Sequence, residues 1–223
     1  MKDIPFFQWE GCVATLALSE IPYRQKAYIL VRLCPEEKLR PFIAECAAFC
    51  RVAGAKEIYA SAEPAPAWLP HAYDLVQYIC PAEQLQPIGK TAVLTPLDTD
   101  NQSRFLQVQR ACFCQVDGAA TYDWQDCKRM LQTHSGHLWL EGETVIGIGE
   151  IRGNEICTVA VTRQGCGEAM VRALVERIER IEGQAVVVQT ASTNLRAIRL
   201  YERLGFRRTK TVSNWYLAKR LRE

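Results

Sequence analysis

The sequence predicts an α/β (α+β) fold, a mixed central sheet flanked by helices, with a smaller and degenerate N-terminal half. Three observations carry that prediction. Short apolar runs alternate with amphipathic helical stretches along most of the chain. QAVVVQTA (184–191) is a near-continuous β-branched run, as a strand covered on both faces requires. HLWLEG (137–142) and TVIGIGEI (144–151) are joined by a tight Glu-Gly turn, so part of the sheet is antiparallel.

The C-terminal part reads element by element. TAVLTP (91–96) is a strand, and Asp98 is placed to cap a helix running to about Cys114. A second helix covers about 121–132, and the hairpin 137–151 follows. An Arg-Gly-Asn turn leads into the strand EICTVAV (155–161). A helix from about 167 to 182 buries Met170, Ala173, Leu174, Ile178 and Ile181, with Gly183 as its stop. After 184–191 comes a helix over about 193–206, whose apolar face is Leu195, Ile198, Tyr201 and Leu204. TVSNWYLAK (211–219) is a final strand. The order is β-α-α-β-β-β-α-β-α-β.

A shorter version of the same pattern precedes it. KAYILVRL (26–33), a helix at 36–53 and KEIYAS (56–61) form a strand-helix-strand unit, and DLVQYIC (74–80) lies beyond the Pro-rich AEPAPAWLP. A diverged duplication and the chance recurrence of a common α/β unit account for this equally. The boundary falls near 84–90, giving an N-terminal domain at 1–86 and a larger one at 87–223.

Composition narrows the function classes. Among 223 residues, 48% are hydrophobic and 23% charged, as in a soluble globular protein, and the net charge of +2 gives no pull toward nucleic acid or anionic membrane. No stretch has the apolar length of a membrane span. Asp3, Gln8 and Glu10 interrupt the N-terminal segment as a secretory signal, so a cytoplasmic location is expected. The ten cysteines contain no C-x-x-C pair and accompany only three histidines. Buried reduced thiols are therefore expected rather than a metal site or disulfides.

Two stretches carry chemistry. In VAVTRQGCGEAM (159–170) a strand ends and a loop with two glycines opens directly into a helix. First-turn N–H groups lack partners inside the helix, and glycines let an anion approach them. Gln164, Gly165, Cys166 and Gly167 form that cradle, with Arg163 nearby. The Gly-Lys-Ser/Thr ending of a P-loop and the third glycine of a dinucleotide fingerprint are both missing. In TNLRAIRLYERLGF (193–206), Asn194 can cap the helix and Tyr201 sits mid-helix. Parallel neighbouring strands bring both helices to one crevice at the strands' C-terminal ends.

The stretch NLRAIRLYERLGF resembles the Asn-x-x-Ala-x-x-Leu-Tyr-x-x-x-Gly-Phe signature of the GCN5-related N-acetyltransferases, and GCGEAM resembles the end of that family's acetyl-CoA pyrophosphate loop. The element order from about 88 onward matches the family fold. That resemblance implies acetyl-CoA as acyl donor, with its pyrophosphate on the amides of Gln164 to Gly167. The pantetheine would pair like an added strand with Val159 and Val161, and contact Asn194. Tyr201 would protonate the departing thiolate. It also implies an amine acceptor, small molecule or protein, and no metal. The loop departs from the family pattern: Val161 is followed directly by Thr-Arg-Gln-Gly, so the basic position falls near Thr162 or Arg163.

Glu150 and Glu155 are the candidate general bases. Direct attack by a neutral amine, with proton loss through water, is the alternative. Cys166 reads better as a small loop residue than as a nucleophile, because a pyrophosphate there opposes a thiolate. The N-terminal unit has CPEEK (34–38) where a phosphate loop would stand, and its glutamates would repel pyrophosphate. It is expected to supply core, an interface or a wall of the acceptor site, and oligomerisation is compatible with it. The competing function is a non-catalytic module that binds an acyl-CoA or holds a partner.

Overall fold

Glu10 and Gly11, both at positive φ, turn the chain between two strands within a segment whose mixed composition concealed them. These are β1 (Ile4–Trp9) and β2 (Cys12–Ala17), paired antiparallel. The computed structural model describes residues 3–85, 92–178 and 184–220. The predicted boundary residue Gly89, and Ile181 and Gly183 of the predicted helix end, lie outside the described residues.

The chain divides into two units, Met1–Leu75 with Thr211–Glu223, and Val76–Lys210. In the first, a single helical turn, α1 (Ile21–Arg24), precedes β3 (Lys26–Leu33), α2 (Glu36–Val52) and β4 (Glu57–Ser61). β5 (His71–Pro81) starts in this unit and ends in the second, and β11 (Arg207–Arg220) makes the reverse journey. The first unit's sheet runs β1-β2-β3-β4 and then the end of β11, which pairs antiparallel with β4. One face of α2, with Leu39, Phe42, Ile43, Cys46 and Cys50, closes a core against Leu16, Ile29 and Ile58. β3 and β4 are parallel and stay paired from Lys26↔Glu57 to Leu30↔Ser61. Pro35 caps α2 without a side-chain bond, and Glu36 and Glu37 occupy its first turn. The strand-helix-strand unit is thus zipped shut and acidic where an anion would enter.

The second unit continues from a short 3₁₀ turn with β6 (Leu94–Pro96), α3 (Gln102–Phe113) and α4 (Trp124–Thr133). Then come β7 (Gly136–Glu141), β8 (Thr144–Arg152), β9 (Glu155–Val161), α5 (Gly167–Arg177), β10 (Ala185–Ala191) and α6 (Leu195–Arg203). Its strand order is β5-β10-β9-β8-β7-β6. β9 and β10 are parallel while β6 through β9 are antiparallel, so the sheet is mixed.

Several element ends differ from the expectation for local reasons. Asp98 is not the helix cap: its carboxylate accepts from the N–H groups of Asp100 and Asn101, making a turn that delays α3 to Gln102. α4 starts later because Asp123 and Asp126 form a reciprocal capping box. α5 stops at Arg177, where Ile178 turns extended. Leu195 opens α6 at 56% exposure and so leaves the packed face, which keeps the predicted Ile198, Tyr201 and Leu204 and adds Ala197 and Leu200. The glycines of TVIGIGEI serve packing: a β-carbon on Gly149 would lie 2.5 Å from Leu174, so α5 can settle onto β8 only because none is there.

Candidate functional site

β9 and β10 part company. They are paired only at Val187↔Glu155 and Val188↔Ile156, whereas β9 stays paired to β8 as far as Val161. From Cys157 onward, the edge of β9 that faces β10 is left as a wedge-shaped opening. Backbone N–H and C=O groups along such an edge seek partners, so a ligand carrying amides can complete the ladder.

The wedge ends at the glycine loop. Thr162 fastens the loop to β8, its N–H reaching Ile146 O at 2.9 Å and its hydroxyl Val145 O at 2.8 Å. Gly165 has φ +86°, which makes the turn into α5, and a β-carbon there would meet nothing within 4 Å. No side chain caps α5 at Cys166. The first-turn amides therefore face an accessible space with the positive end of the helix behind them.

The third wall is α6. Asn194 Oδ1 accepts from Ala197 N at 3.3 Å, so this residue is the N-cap. Thr193 Oγ1 donates to Asp117 Oδ2 at 3.0 Å, tying the start of the helix to the segment after α3. Tyr201 is 6% exposed and packs on Phe206 and Tyr78, with ring centroids 5.5 and 6.4 Å away. Burial pushes its phenol up to about 12, so it keeps its proton throughout the neutral range.

These pieces enclose one cleft of ≈ 720 Å³ within the second unit. Of the predicted binding residues it gathers Val159, Val161, Gln164, Gly165, Gly167, Asn194 and Tyr201. Arg163 and Cys166 are not in its lining, and Arg163 forms an ion pair with Glu141 at 2.8 Å. The cleft adds residues that sequence reasoning missed: Cys112 and Phe113 from the end of α3, Val116 just beyond it, and Arg196, Arg199 and Arg203 from α6. The three arginines follow a helical stripe that was visible in the sequence. The contribution of α3 is set by tertiary packing and had no local signal.

Neither Glu150 nor Glu155 lines the cleft. Glu155 begins β9 at the zipped end of the wedge. Glu150 is fully buried. One of its oxygens accepts from Arg129 and from Arg152 Nε at 2.7 Å, and the other from the Tyr122 hydroxyl at 2.6 Å. The Tyr122 hydroxyl also lies 2.8 Å from Thr158 Oγ1. Gln109 on α3 positions this tyrosine by bonding both Tyr122 N and Ala120 O. Burial alone would raise the Glu150 pKa, but the bonds from Arg152, Arg129 and Tyr122 outweigh it and hold the carboxyl below its usual value. Such a carboxylate stays ionised and is a weak base.

Among the described residues, no group of three or more His, Cys, Asp or Glu side chains is arranged to hold a metal, and no helix is long and apolar enough to cross a membrane.

Residues 152–216 match the family model of the FR47-like proteins. A stretch of 54 residues, 24% of this chain, is 37% identical to N-alpha-acetyltransferase 30 of Dictyostelium discoideum; it spans 29% of that relative's length. The fold is similar to a functionally unknown conserved protein from Staphylococcus epidermidis, with a TM-score of 0.61 at 12% identity over 94% of this chain and 90% of that one. An acetyltransferase of the GNAT family from Colwellia psychrerythraea gives 0.53 at 14% identity, covering 95% and 84%. A tandem GNAT protein from the clavulanic acid biosynthesis pathway gives 0.56 at 15% identity, covering 95% and 80%. At these identities the structural likeness is one of fold.

Proposed function

We propose that this chain is an acetyltransferase of the GCN5-related N-acetyltransferase superfamily and that it moves the acetyl group of acetyl-CoA to an amine by direct transfer in a ternary complex. One observation carries the reading: the glycine turn at the α5 N-terminus, the open edge of β9 and the buried Tyr201 line a single cleft. Their chemistry fits that donor. The α5 amides suit a pyrophosphate, and the β9 edge suits the amides of a pantetheine arm.

Acetyl-CoA supplies an activated thioester. The protein's part is to align it against the amine, which replaces a bimolecular encounter by a positioned one. As the nitrogen–carbon bond forms and the carbon–sulfur bond breaks, Tyr201 delivers its proton to the sulfur. The amine proton leaves to water or to a carboxylate, for which Glu150 and Glu155 are the proposed candidates. Glu150 is a weak base as it stands, because two arginines and a tyrosine hold it ionised. In this reading Val159 and Val161 offer backbone to the pantetheine, Gln164 to Gly167 hold the pyrophosphate, and Asn194 contacts the arm while capping α6. Arg163 acts on the loop through Glu141. The larger part of the chain, 87–223, contains every proposed cofactor contact.

The relative's name makes peptide N-terminal amines the first acceptors to try, with lysine and small amines beside them. Incubation with labelled acetyl-CoA and such a panel should release CoA in step with amide formation. Binding of CoA with no transfer to any amine supports the second reading, an acyl-CoA-binding module. That reading draws on the position of both candidate bases outside the cleft.

A further inference from the structure

The lining of the cleft contains three arginines and no aspartate or glutamate. Arg196, Arg199 and Arg203 are spaced three and four residues apart, so they form one stripe along α6, spanning roughly 10 Å at the helical rise. Their surroundings differ. Arg196 lies by α3, where its charge bears on the Cys112 thiol. Arg203 Nε is 3.8 Å from Glu168 Oε2 in the first turn of α5. Arg199 has no ion pair among the described residues.

The far end of this stripe coincides with the glycine loop. Gly167 faces Leu200, whose Cδ2 would lie 3.0 Å from a β-carbon at that glycine. The α5 amides and the Arg199–Arg203 turn therefore open onto the same end of the cleft. Arg163, the basic residue of the loop itself, is paired with Glu141 and lies outside the lining, so the arginines of the lining all come from α6.

We propose that Arg199 and Arg203 form a clamp for the 3′-phosphate of CoA. This rests on the acetyl-CoA reading above. Each phosphate of the pyrophosphate carries one negative charge and is served by loop amides. The 3′-phosphate is a monoester that approaches two negative charges at neutral pH, and planar guanidinium groups match it in charge and geometry. Glu168 holds Arg203 beside the α5 N-terminus until a phosphate competes for it, and Arg172 at 3.0 Å keeps Glu168 paired afterwards.

Calorimetric titration with CoA and with dephospho-CoA, which lacks only that phosphate, tests the proposal. The parent protein should prefer CoA by about 10- to 100-fold, the worth of one or two charged hydrogen-bonded contacts. Arg199→Gln combined with Arg203→Gln should abolish the preference and leave dephospho-CoA affinity within about twofold of the parent. Both side chains are exposed, and an unchanged unfolding temperature will establish that the variant folds. Equal weakening toward both ligands overturns the clamp and reassigns the arginines to the pyrophosphate. No preference in the parent also overturns it, with the acetyl-CoA reading intact. A parent that binds neither ligand overturns both.

Discussion

Gly167 and Leu200 oppose each other across the mouth of the cleft, and a β-carbon on the glycine would lie 3.0 Å from Leu200 Cδ2. A side chain at 167 therefore has two effects: it crowds Leu200 and it screens the α5 amides. Gly167→Val should weaken CoA binding by about tenfold or more, the cost of losing charged hydrogen bonds to the loop. Adding Leu200→Ala separates the effects. If screening dominates, Gly167→Val/Leu200→Ala stays as weak relative to Leu200→Ala alone. Recovery of affinity in calorimetry would reduce the glycine to a packing residue.

Tyr201→Phe should preserve the fold and CoA affinity while lowering turnover about a hundredfold, as expected when a positioned acid is lost. The loss belongs in kcat, because thiolate charge develops only as the bond to sulfur breaks. Since burial raises the phenol to about 12, its contribution to stability is complete below its ordinary value of 10.0 and drains away as pH rises through 12. The parent should unfold more readily than Tyr201→Phe in that alkaline window. Stopped-flow rates and alkaline melts check the two halves. A Phe variant that acetylates at the parent rate ends the general-acid assignment.

Glu150 yields the opposite pH dependence. Its lowered pKa contributes stability that is fully present above the ordinary glutamate value of 4.5 and is lost as pH falls through the folded value. Glu150→Gln should cost about 3 kcal/mol near neutrality, because it strands Arg129 and Arg152, and should flatten the loss in acid. Tyr122→Phe removes one bond to the same carboxylate and should cost about 1–2 kcal/mol. Urea melts at several pH values report both. A Glu150→Gln protein as stable as the parent would show the cluster to be dispensable, and its turnover would show separately whether the carboxylate serves as base.

Thiol labelling should sort the cysteines by environment. Burial pushes Cys46 up to about 12 and Cys50, Cys127 and Cys157 up to about 11. Cys34 is raised to about 12 by burial and by the Cys12 thiol 2.7 Å away. Alkylation near neutral pH should reach exposed Cys114 first and leave these unmodified in the folded protein. Saturating CoA should shield Cys112, which lines the cleft, and Cys166 in the loop. Mass spectrometry showing equal labelling of both with and without CoA counts against the site.

Much of the second unit was legible because its signals are local. The β-branched run of β10, the turns around β8 and the capping Asn194 each state their own structure. The β1–β2 hairpin was not legible, since Asp3, Gln8 and Glu10 break the apolar pattern and the hairpin joins the sheet through the pairing of β2 with β3. Cleft residues split the same way. Glycines before a helix and a tyrosine in an apolar stripe can be found by spacing, and the arginine stripe could have been. Phe113 and Val116 become wall residues only because α3 ends beside α6. The Glu150 cluster assembles Tyr122 from the loop before α4, Arg129 from α4, Arg152 from β8 and Thr158 from β9, which no periodicity reports.

The wedge between β9 and β10 also bears on solubility. A bare strand edge is a template on which another chain can add itself, and proteins guard such edges with charge. Here the α6 arginines stand at the opening, so a second copy approaching edge-first would meet like charges. Neutralising all three should therefore do more than loosen a ligand. It removes the gatekeepers of the edge, and the altered protein should self-associate on concentration, while a bound molecule that fills the wedge should suppress that association by occupying the strand position first.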